Sequence, residues 1–326
     1  MNNDESSDIE LNNAQVNQEM SKGLHPRNLH NNGYDFPALV ETFPALKDFV
    51  KPNKFGDQSV DFADPAAVKA LNCALLLHHY GIAGWNVPKG YLCPPIPGRV
   101  DYIHHVADLL QSVGIGRGDK DVRMLDIGTG ANGIYSLLAA KAYGWQCTAS
   151  DIDPAALNNL AAIVDKNPSL MDQVQLRLQT EPSRIFNGII KPNDQFDVSV
   201  CNPPFHASQH EAMKSNRRKV NSLAHSKNKS ETPKTKSMNK PSPALNFGGV
   251  SSELWCEGGE IAFLKTMINE SKTFGKQCRW FTTLVSKADN LKPVQWLLHD
   301  LQAKKVKVID MQQGNKSTRI LAWTFA

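Results

Sequence analysis

The stretch that decides the fold is LDIGTGANG, residues Leu125–Gly133. An apolar run at Val122–Ile127 leads into it, and a helical pattern at 133–143 follows it. Its glycines have the spacing G-x-G-x-x-G, which lets the backbone turn tightly and lets a ligand approach the main chain closely. The stretch therefore predicts the first strand–loop–helix unit of an α/β domain, with a ligand site at the loop.

Downstream of this loop, apolar strand patterns alternate with helical patterns to the end of the chain. Further strands are predicted at Trp145–Ser150, Val174–Leu178, Phe196–Cys201, Arg279–Ser286, 305–311 and 319–325, and helices at 154–166, 182–190, 259–273 and 291–303. This alternation indicates a mostly parallel sheet with helices on both faces. The last two strands are too close in sequence for a parallel crossover, so they are predicted to form an antiparallel hairpin at the sheet edge.

Upstream of the loop, residues 23–118 predict a mostly helical N-terminal part. The strongest helix there has Asp64 as its N-cap, Pro65 at its first position and Gly81 just past its end. Residues 1–22 contain too few apolar side chains to offset the entropy of ordering, and they predict a disordered tail.

Composition excludes several classes of protein. The 326 residues are 41% hydrophobic and 21% charged, which is ordinary for a globular protein. No window approaches the ~18 uninterrupted apolar residues of a membrane span, and no secretory signal is evident. The six cysteines form no C-x-x-C pair, so zinc-finger spacings are absent, and free thiols in a reducing cytoplasm are expected.

The net charge of +4 is unevenly distributed. Residues 214–241 contain nine Lys or Arg and one acid, Glu231, so this stretch carries +8 and the remainder carries −4. It lies within a predicted flexible basic insertion, 206–244, which has two interpretations. The insertion either neutralises the phosphates of a nucleic acid near the site or is a solvated surface loop.

Acidic residues around the glycine loop indicate which cofactor binds there. Nicotinamide, flavin and S-adenosyl-L-methionine (SAM) enzymes all use such a loop. Asp126 precedes the first glycine by two residues, where a carboxylate would repel a pyrophosphate but would suit the amino group of SAM. Asp151 ends the second strand and is placed to accept hydrogen bonds from ribose hydroxyls, although it could only cap the next helix, as Asp153 is predicted to do. These acids favour SAM.

The sequence Asn202-Pro203-Pro204-Phe205 follows the fourth strand. Placed behind the glycine loop and Asp151, it is the signature of class I SAM-dependent methyltransferases that act on planar amino groups. The Asn202 side-chain oxygen and the Pro203 carbonyl can accept both amino protons, the prolines stiffen the turn, and Phe205 can stack on a flat target. No metal is needed for this chemistry. The preceding Cys201 is either a core residue or a nucleophile for pyrimidine carbon-5 methylation.

On these motifs the chain resembles the bacterial ribosomal RNA large subunit methyltransferase F family, and it is similar to the eukaryotic N6-adenine methyltransferases of small nuclear RNA. The resemblance covers about residues 24–326. It rests on HPRNLHNNGYDF (25–36), DFADPAAVKALN (61–72), PPIPGRVDYIHHVADLL (94–110), LDIGTGANGIY (125–135), CNPPFHAS (201–208), NFGGVSSELWCEGGEIAF (246–263) and TRILAWTF (318–325).

The resemblance implies a Rossmann-like class I methyltransferase domain at 119–326, with a mostly parallel seven-stranded sheet and an antiparallel C-terminal hairpin, behind a helical N-terminal extension. It implies that Arg99 reaches the SAM carboxylate and that Ser183 contacts the cofactor adenine. The candidate cofactor-binding residues are Arg99, Asp126, Gly128, Gly130, Asp151, Ser183 and Asn202, and the candidate catalytic residues are Asn202, Pro203, Pro204 and Phe205.

The implied activity is methylation of N6 of one adenine in 23S rRNA, with free rRNA or a large-subunit assembly intermediate as the partner of a monomeric enzyme. Candidate RNA contacts are Arg27, Lys51, Lys54, Arg217, Arg218 and Lys219. One alternative is an N5-glutamine methyltransferase acting on a release factor, although such enzymes usually carry Tyr after the prolines and lack HPRN and a basic loop. A non-catalytic RNA-binding protein is the second alternative, and the intact site motifs argue against it.

Overall fold

A computed structural model describes residues 23–115, 122–206, 208, 253, 255–313 and 316–326. The predicted tail 1–22 and nearly all of the predicted insertion 206–244 lie outside these ranges, and so do Arg217, Arg218 and Lys219. Within the ranges, none of the helices combines the length and apolar character that crossing a membrane requires.

The N-terminal part contains three α-helices: α1 (Phe36–Thr42), α2 (Pro65–Tyr80) and α3 (Ile96–Gln111). Helix α2 has the predicted ends, because the Asp64 carboxylate accepts a hydrogen bond from Ala66 N at 2.9 Å and Gly81 is left-handed with φ of 62°. A 3₁₀ helix (Pro44–Phe49) and a short hairpin, β1 (Val50–Pro52) with β2 (Gln58–Val60), separate α1 from α2. This hairpin is not among the predicted elements.

Seven strands form the main sheet: β3 (Arg123–Ile127), β4 (Gln146–Asp151), β5 (Val174–Leu178), β6 (Phe196–Cys201), β7 (Cys278–Val285), β8 (Lys305–Gln313) and β9 (Lys316–Thr324). Their order is β5-β4-β3-β6-β7-β9-β8, and β9 runs in the direction opposite to the other six strands. This arrangement confirms the predicted mostly parallel sheet with an antiparallel C-terminal hairpin. Because β3 lies between β4 and β6, the loops that follow these three strands meet at one edge.

The connections include five further α-helices: α4 (Ile134–Tyr143), α5 (Pro154–Val164), α6 (Pro168–Met171), α7 (Gly259–Thr273) and α8 (Leu291–Asp300). A 3₁₀ turn at Ala288–Asn290 leads into α8. The helix predicted near 182–190 is wrong, because this segment forms turns. Its backbone N–H groups at 185–187 donate to the Glu270 carboxylate of α7 instead of to a helical ladder.

The N-terminal part shares a hydrophobic core with one face of the sheet. Met124 of β3 belongs to this core, whereas its neighbour Leu125 belongs to a second core under α7 and α8. This alternation is expected because successive side chains of a strand point to opposite faces. Tyr102 of α3 is fully buried, and its hydroxyl lies 2.8 Å from Thr282 Oγ1 of β7. Helix α3 is thereby anchored on the sheet, and Arg99 in its first turn is held at the sheet edge.

Candidate active site

A cavity of about 570 Å³ lies at the carboxyl ends of β3, β4, β5 and β6. This edge is where open α/β sheets bind ligands, and the volume falls within the range of small-molecule sites. Within the described ranges, no three His, Cys, Asp or Glu side chains form a group that could hold a metal ion.

The glycine loop forms one wall of the cavity. Gly128 adopts φ of 68°, and a Cβ added to it would meet no atom within 4 Å, so the backbone there faces open space. A Cβ on Gly133 would lie 2.2 Å from Leu160 Cδ1, so any other residue there would displace this side chain of α5 from the turn. Gly130, which lines the cavity between them, donates its N–H to Asp151 Oδ2 at 2.8 Å.

Asp151 lies at the end of β4 and lines the same cavity. Its Oδ1 accepts a second backbone hydrogen bond, from Asp153 N at 2.9 Å, so both carboxylate oxygens are fixed in place. Burial raises its pKa, and the two backbone donors oppose that effect. As predicted, Asp153 caps α5 by accepting from Ala155 N at 2.9 Å. Asp151 thus has a separate position, in the cavity wall rather than at the helix end.

Asp126 is fully buried and is absent from the cavity lining. Its Oδ2 accepts hydrogen bonds from the hydroxyls of Thr129 at 2.8 Å and Ser136 at 3.0 Å. The side chain therefore supports the glycine loop and the first turn of α4 from behind. This geometry does not favour the predicted direct contact between Asp126 and the cofactor amino group.

Arg99 lines the cavity from the opposite side, at the start of α3. Its Nη1 donates to the Tyr135 hydroxyl at 2.7 Å, and the guanidinium carbon lies 5.6 Å from the Tyr135 ring centroid. No carboxylate in the described ranges pairs with Arg99. Its remaining donors are directed by Tyr135 and are suited to a ligand carboxylate.

The loop after β5 closes the far end of the cavity and contains Ser183. Ser183 is exposed and lines the cavity together with the buried Gln179. Gln179 Nε2 donates to Asn187 O at 2.7 Å, and its Oε1 accepts from Glu181 N at 3.0 Å. Gln179 therefore shapes the loop on which Ser183 lies.

The turn after β6 forms the wall beside the glycine loop, and Asn202 and Pro204 line the cavity there. Asn202 Oδ1 is shielded from water and has no hydrogen-bond partner among the described residues. Pro203 is buried behind this wall, and the half-buried Phe205 is not part of the lining. Cys201 lines the floor, and burial raises its thiol pKa far above the ordinary value, which disfavours a thiolate nucleophile.

Two further lining residues, Glu253 and Trp255, come from the chain beyond the basic insertion. The Glu253 carboxylate accepts a hydrogen bond from Leu92 N at 2.9 Å and lies over Gly130. Both residues belong to the stretch 246–263, which carries part of the resemblance, but neither is among the candidate site residues predicted from the sequence. Only that resemblance marked them, because nothing in their local pattern indicates a cavity.

The candidate RNA contacts have different surroundings. Arg27 donates from Nη2 to His104 O at 2.9 Å and pairs with Asp108 at 2.7 Å, while its Nε donates to the Tyr143 hydroxyl at 3.1 Å. These contacts tie the N-terminal segment to α3 and α4, so the geometry does not favour a role for Arg27 in RNA binding. Lys51 and Lys54 are exposed on the β1–β2 hairpin.

A family model described as RNA methyltransferase matches residues 18–326. Ribosomal RNA large subunit methyltransferase F of Shewanella baltica (strain OS223) is 54% identical over 312 residues, covering 94% of this chain and 82% of the relative. The protein of that name from Shewanella denitrificans is 54% identical over 313 residues, covering 96% and 86%.

Solved structures show the same architecture. The hMettl16 catalytic domain in complex with the MAT2A 3'UTR hairpin 1 superposes with a TM-score of 0.74 at 31% identity, covering 94% of this chain and 96% of that chain. The N-terminal domain of human METTL16 in complex with SAH superposes with a TM-score of 0.71 at 28% identity, covering 94% and 100%.

Proposed function

Because the chain belongs to the RNA methyltransferase family, we propose that it methylates N6 of one adenine in the RNA of the large ribosomal subunit. It is a SAM-dependent methyltransferase: the family, the class I fold and the neighbour that holds SAH agree on the enzyme class and the cofactor. The identity of the target, N6 of an adenine, goes beyond the enzyme class, and the chemistry of the turn after β6 supports it.

The proposal rests on the unpaired side-chain oxygen of Asn202. Its side-chain oxygen lies in the wall of the cavity, shielded from water, and accepts no hydrogen bond within the described part of the chain. A buried acceptor without a donor costs about 1–3 kcal/mol. An amino group on a planar ring supplies the missing donor, so the substrate itself would satisfy this oxygen.

The remaining lining residues fit the cofactor. Arg99 has donors left for the methionine carboxylate, Asp151 has lone pairs left for the ribose hydroxyls, and Gly128 leaves open space against the main chain. When bound, the cofactor supplies an electrophilic methyl group on a positively charged sulfur. These residues would hold the methionine carboxylate and the ribose of the cofactor in fixed positions.

At the target, Asn202 and the Pro203 carbonyl would accept the two protons of the adenine amino group. These acceptors would orient the nitrogen toward the methyl group and favour the positive charge that develops as the nitrogen–carbon bond forms and the carbon–sulfur bond breaks. The methylated nitrogen then loses one proton to solvent. An adenine in folded RNA must be unstacked to reach such a cavity, and Phe205 near the turn could steady it.

The names of the relatives support RNA of the large ribosomal subunit as the substrate, either free 23S rRNA or an assembly intermediate. The basic stretch 214–241 supports an RNA partner over a protein. Action on ribosomal RNA implies a cytoplasmic enzyme, which we propose to be a monomer. Methylation of a release-factor glutamine is the alternative, because an amide nitrogen would also satisfy Asn202.

Mass spectrometry after incubation with SAM tests the proposal. Unmodified 23S rRNA and a release factor are offered separately to the purified protein. We expect N6-methyladenosine at one position of the RNA and no methylglutamine in the protein. Methylglutamine alone would move the function to the alternative, and a methylated pyrimidine would refute both.

The Asn202→Ala variant is the matched test of the site. It should abolish transfer while SAM binding, measured by calorimetry, persists. The Asn269→Ala variant on the exposed face of α7 is the control and should keep full activity. Transfer by Asn202→Ala at the wild-type rate would contradict the role given to this side chain.

A further inference from the structure

Trp255 is fixed beside the turn that holds the target amino group. Its backbone forms a parallel bridge with His206, and Cys256 N donates to His206 O at 3.1 Å. His206 directly follows Phe205, so this pairing holds residue 255 against the end of the Asn202–Phe205 turn. Trp255 also lines the cavity that Asn202 and Pro204 line. It therefore belongs to the target side of the cavity.

The indole of Trp255 has an unused hydrogen-bond donor. Its Nε1 is shielded from water and has no partner among the described residues, as is true of Asn202 Oδ1. Buried indole N–H groups usually have a partner, because leaving one unpaired costs about 1–3 kcal/mol. One wall of the cavity thus contains an unpaired acceptor on the turn and an unpaired donor beside it. A ligand that presents a donor and an acceptor side by side would pair with both the Asn202 oxygen and the Trp255 N–H.

We propose that Trp255 is a specificity-determining residue, whose indole N–H donates to a ring nitrogen of the target adenine while Asn202 accepts from N6. This inference rests on the proposed function. Adenine carries such acceptors on both sides of its amino group, at N1 and at N7. Guanine presents an oxygen in place of the amino group, so it would oppose Asn202, and it presents an N–H in place of N1, so a Trp255 contact at N1 would be opposed as well. Asn202 would therefore reject the other purine, and Trp255 would add to that rejection when its contact is N1 and to adenine binding in either case.

A chemical double-mutant cycle tests this role. The substrate is the rRNA segment that the wild type methylates, with its target adenosine either intact or replaced by 1-deazaadenosine or 7-deazaadenosine. Each RNA is offered to the wild type and to Trp255→Phe, which keeps an aromatic ring and removes the N–H. With adenosine, kcat/KM of Trp255→Phe should fall about tenfold, the loss expected for one buried hydrogen bond. With one of the two analogues, kcat/KM of the wild type should fall by a similar factor. With that same analogue, kcat/KM of Trp255→Phe should stay at the value that the variant has with adenosine.

Four further measurements separate this hydrogen-bonding role from a role in folding or cofactor binding. SAM affinity by calorimetry and the melting temperature should be unchanged in Trp255→Phe. The Trp296→Phe variant, at an exposed tryptophan on α8, is the matched control and should keep the wild-type kcat/KM on every RNA. A Trp255→Ala variant reports the contribution of the ring itself.

Two results would overturn the proposal while the proposed function stands. One is wild-type kcat/KM in Trp255→Phe, which would reduce Trp255 to a stacking or packing residue. The other is a fully additive cycle with both analogues, which would show that the N–H contacts neither ring nitrogen. If the wild type methylates no adenine in the RNA, the proposed function fails and takes this role with it.

Discussion

At the scale of single residues, Asp126 shows how a carboxylate at the centre of the sheet can support a site without lining it. The side chain is fully buried, and two hydroxyl donors, from Thr129 and Ser136, reach one of its oxygens. The other oxygen has no partner within the described ranges. Two hydroxyls do not replace the lost hydration, so burial raises the pKa of Asp126 to about 6.

The raised pKa predicts a pH dependence of stability. Protonation of Asp126 is easier in the folded state than in the unfolded state, so its contribution is fully present below about pH 4 and is lost as pH rises through about 6. Relative to Asp126→Asn, the free energy of unfolding of the wild type should fall by about 3 kcal/mol over this window. Urea unfolding of both proteins at several pH values, without cofactor, measures the difference.

The control for this experiment is Asp48→Asn, at an exposed acid in the N-terminal part. Its unfolding free energy should follow that of the wild type across the whole range. Parallel curves for Asp126→Asn and the wild type would contradict the prediction, because they would mean that Asp126 titrates alike in both states.

At the scale of elements, the seven strands of the main sheet could be predicted within about two residues for most ends, because they are short segments with an apolar run, as in β3, or with alternating apolar and polar residues, as in β5. Helix α7 has the predicted bounds, 259–273. The hairpin β1–β2 was missed because its strands have only three residues each. The supposed helix at 182–190 was wrong for a long-range reason, since Glu270 takes the N–H groups that would have begun its ladder.

The hydrogen bonds of Glu270 connect α7 to the loop at the cofactor end of the cavity, so changes to Glu270 should affect SAM binding. Its Oε2 accepts from the N–H groups of Ile185, Phe186 and Asn187 at 2.8–3.1 Å, directly after the loop that carries Ser183. Glu270→Ala should lower the free energy of unfolding by about 2–4 kcal/mol, because buried donors lose a charged acceptor. It should also raise KM for SAM, with little change in kcat at saturating SAM.

Urea unfolding and steady-state kinetics measure these two effects, and Glu270→Gln should fall between Ala and the wild type because it keeps one acceptor oxygen. The exposed Glu41→Gln in α1 is the control and should change neither quantity. If Glu270→Ala lost stability but kept the wild-type KM for SAM, the carboxylate would be a structural group only.

At the scale of the whole molecule, the site residues that directly follow a strand could be predicted from the sequence. The residues that come from distant parts of the chain and complete the cavity wall could not. The glycine loop, Asp151 and the Asn202–Phe205 turn lie at the ends of β3, β4 and β6, so strand order alone brings them together. Glu253 and Trp255 reach the cavity through contacts with Leu92 and His206, which no local pattern reveals.

Charge is the other property of the whole chain, and it predicts how RNA binding responds to salt. Residues 214–241 carry +8 on a body of −4. Replacing them with a Gly/Ser segment of equal length should weaken rRNA binding and flatten its salt dependence, by roughly 0.7–0.9 in the log–log slope for each phosphate that the protein no longer neutralises. Fluorescence anisotropy over a salt series measures the slope.

A variant with the same 28 positions, 214–241, in shuffled order keeps the charge and should keep the slope. SAM affinity should be the same in all three proteins, because the residues proposed to hold the cofactor, among them Arg99, Gly128 and Asp151, are unchanged in each of them. An unchanged slope in the Gly/Ser variant would identify the segment as a solvated loop and place the phosphate contacts elsewhere.

The cavity wall draws on chain from Leu92 to Thr266, and this span has a consequence for protein synthesis. The ribosome makes the glycine loop and Asp151 well before it makes Glu253 and Trp255. A nascent chain that ends before Glu253 has Arg99, the glycine loop and Asp151 but lacks the part of the wall that lies beside the Asn202–Phe205 turn. A complete target side of the cavity is therefore a property of the nearly finished polypeptide, and prematurely terminated chains should not methylate RNA.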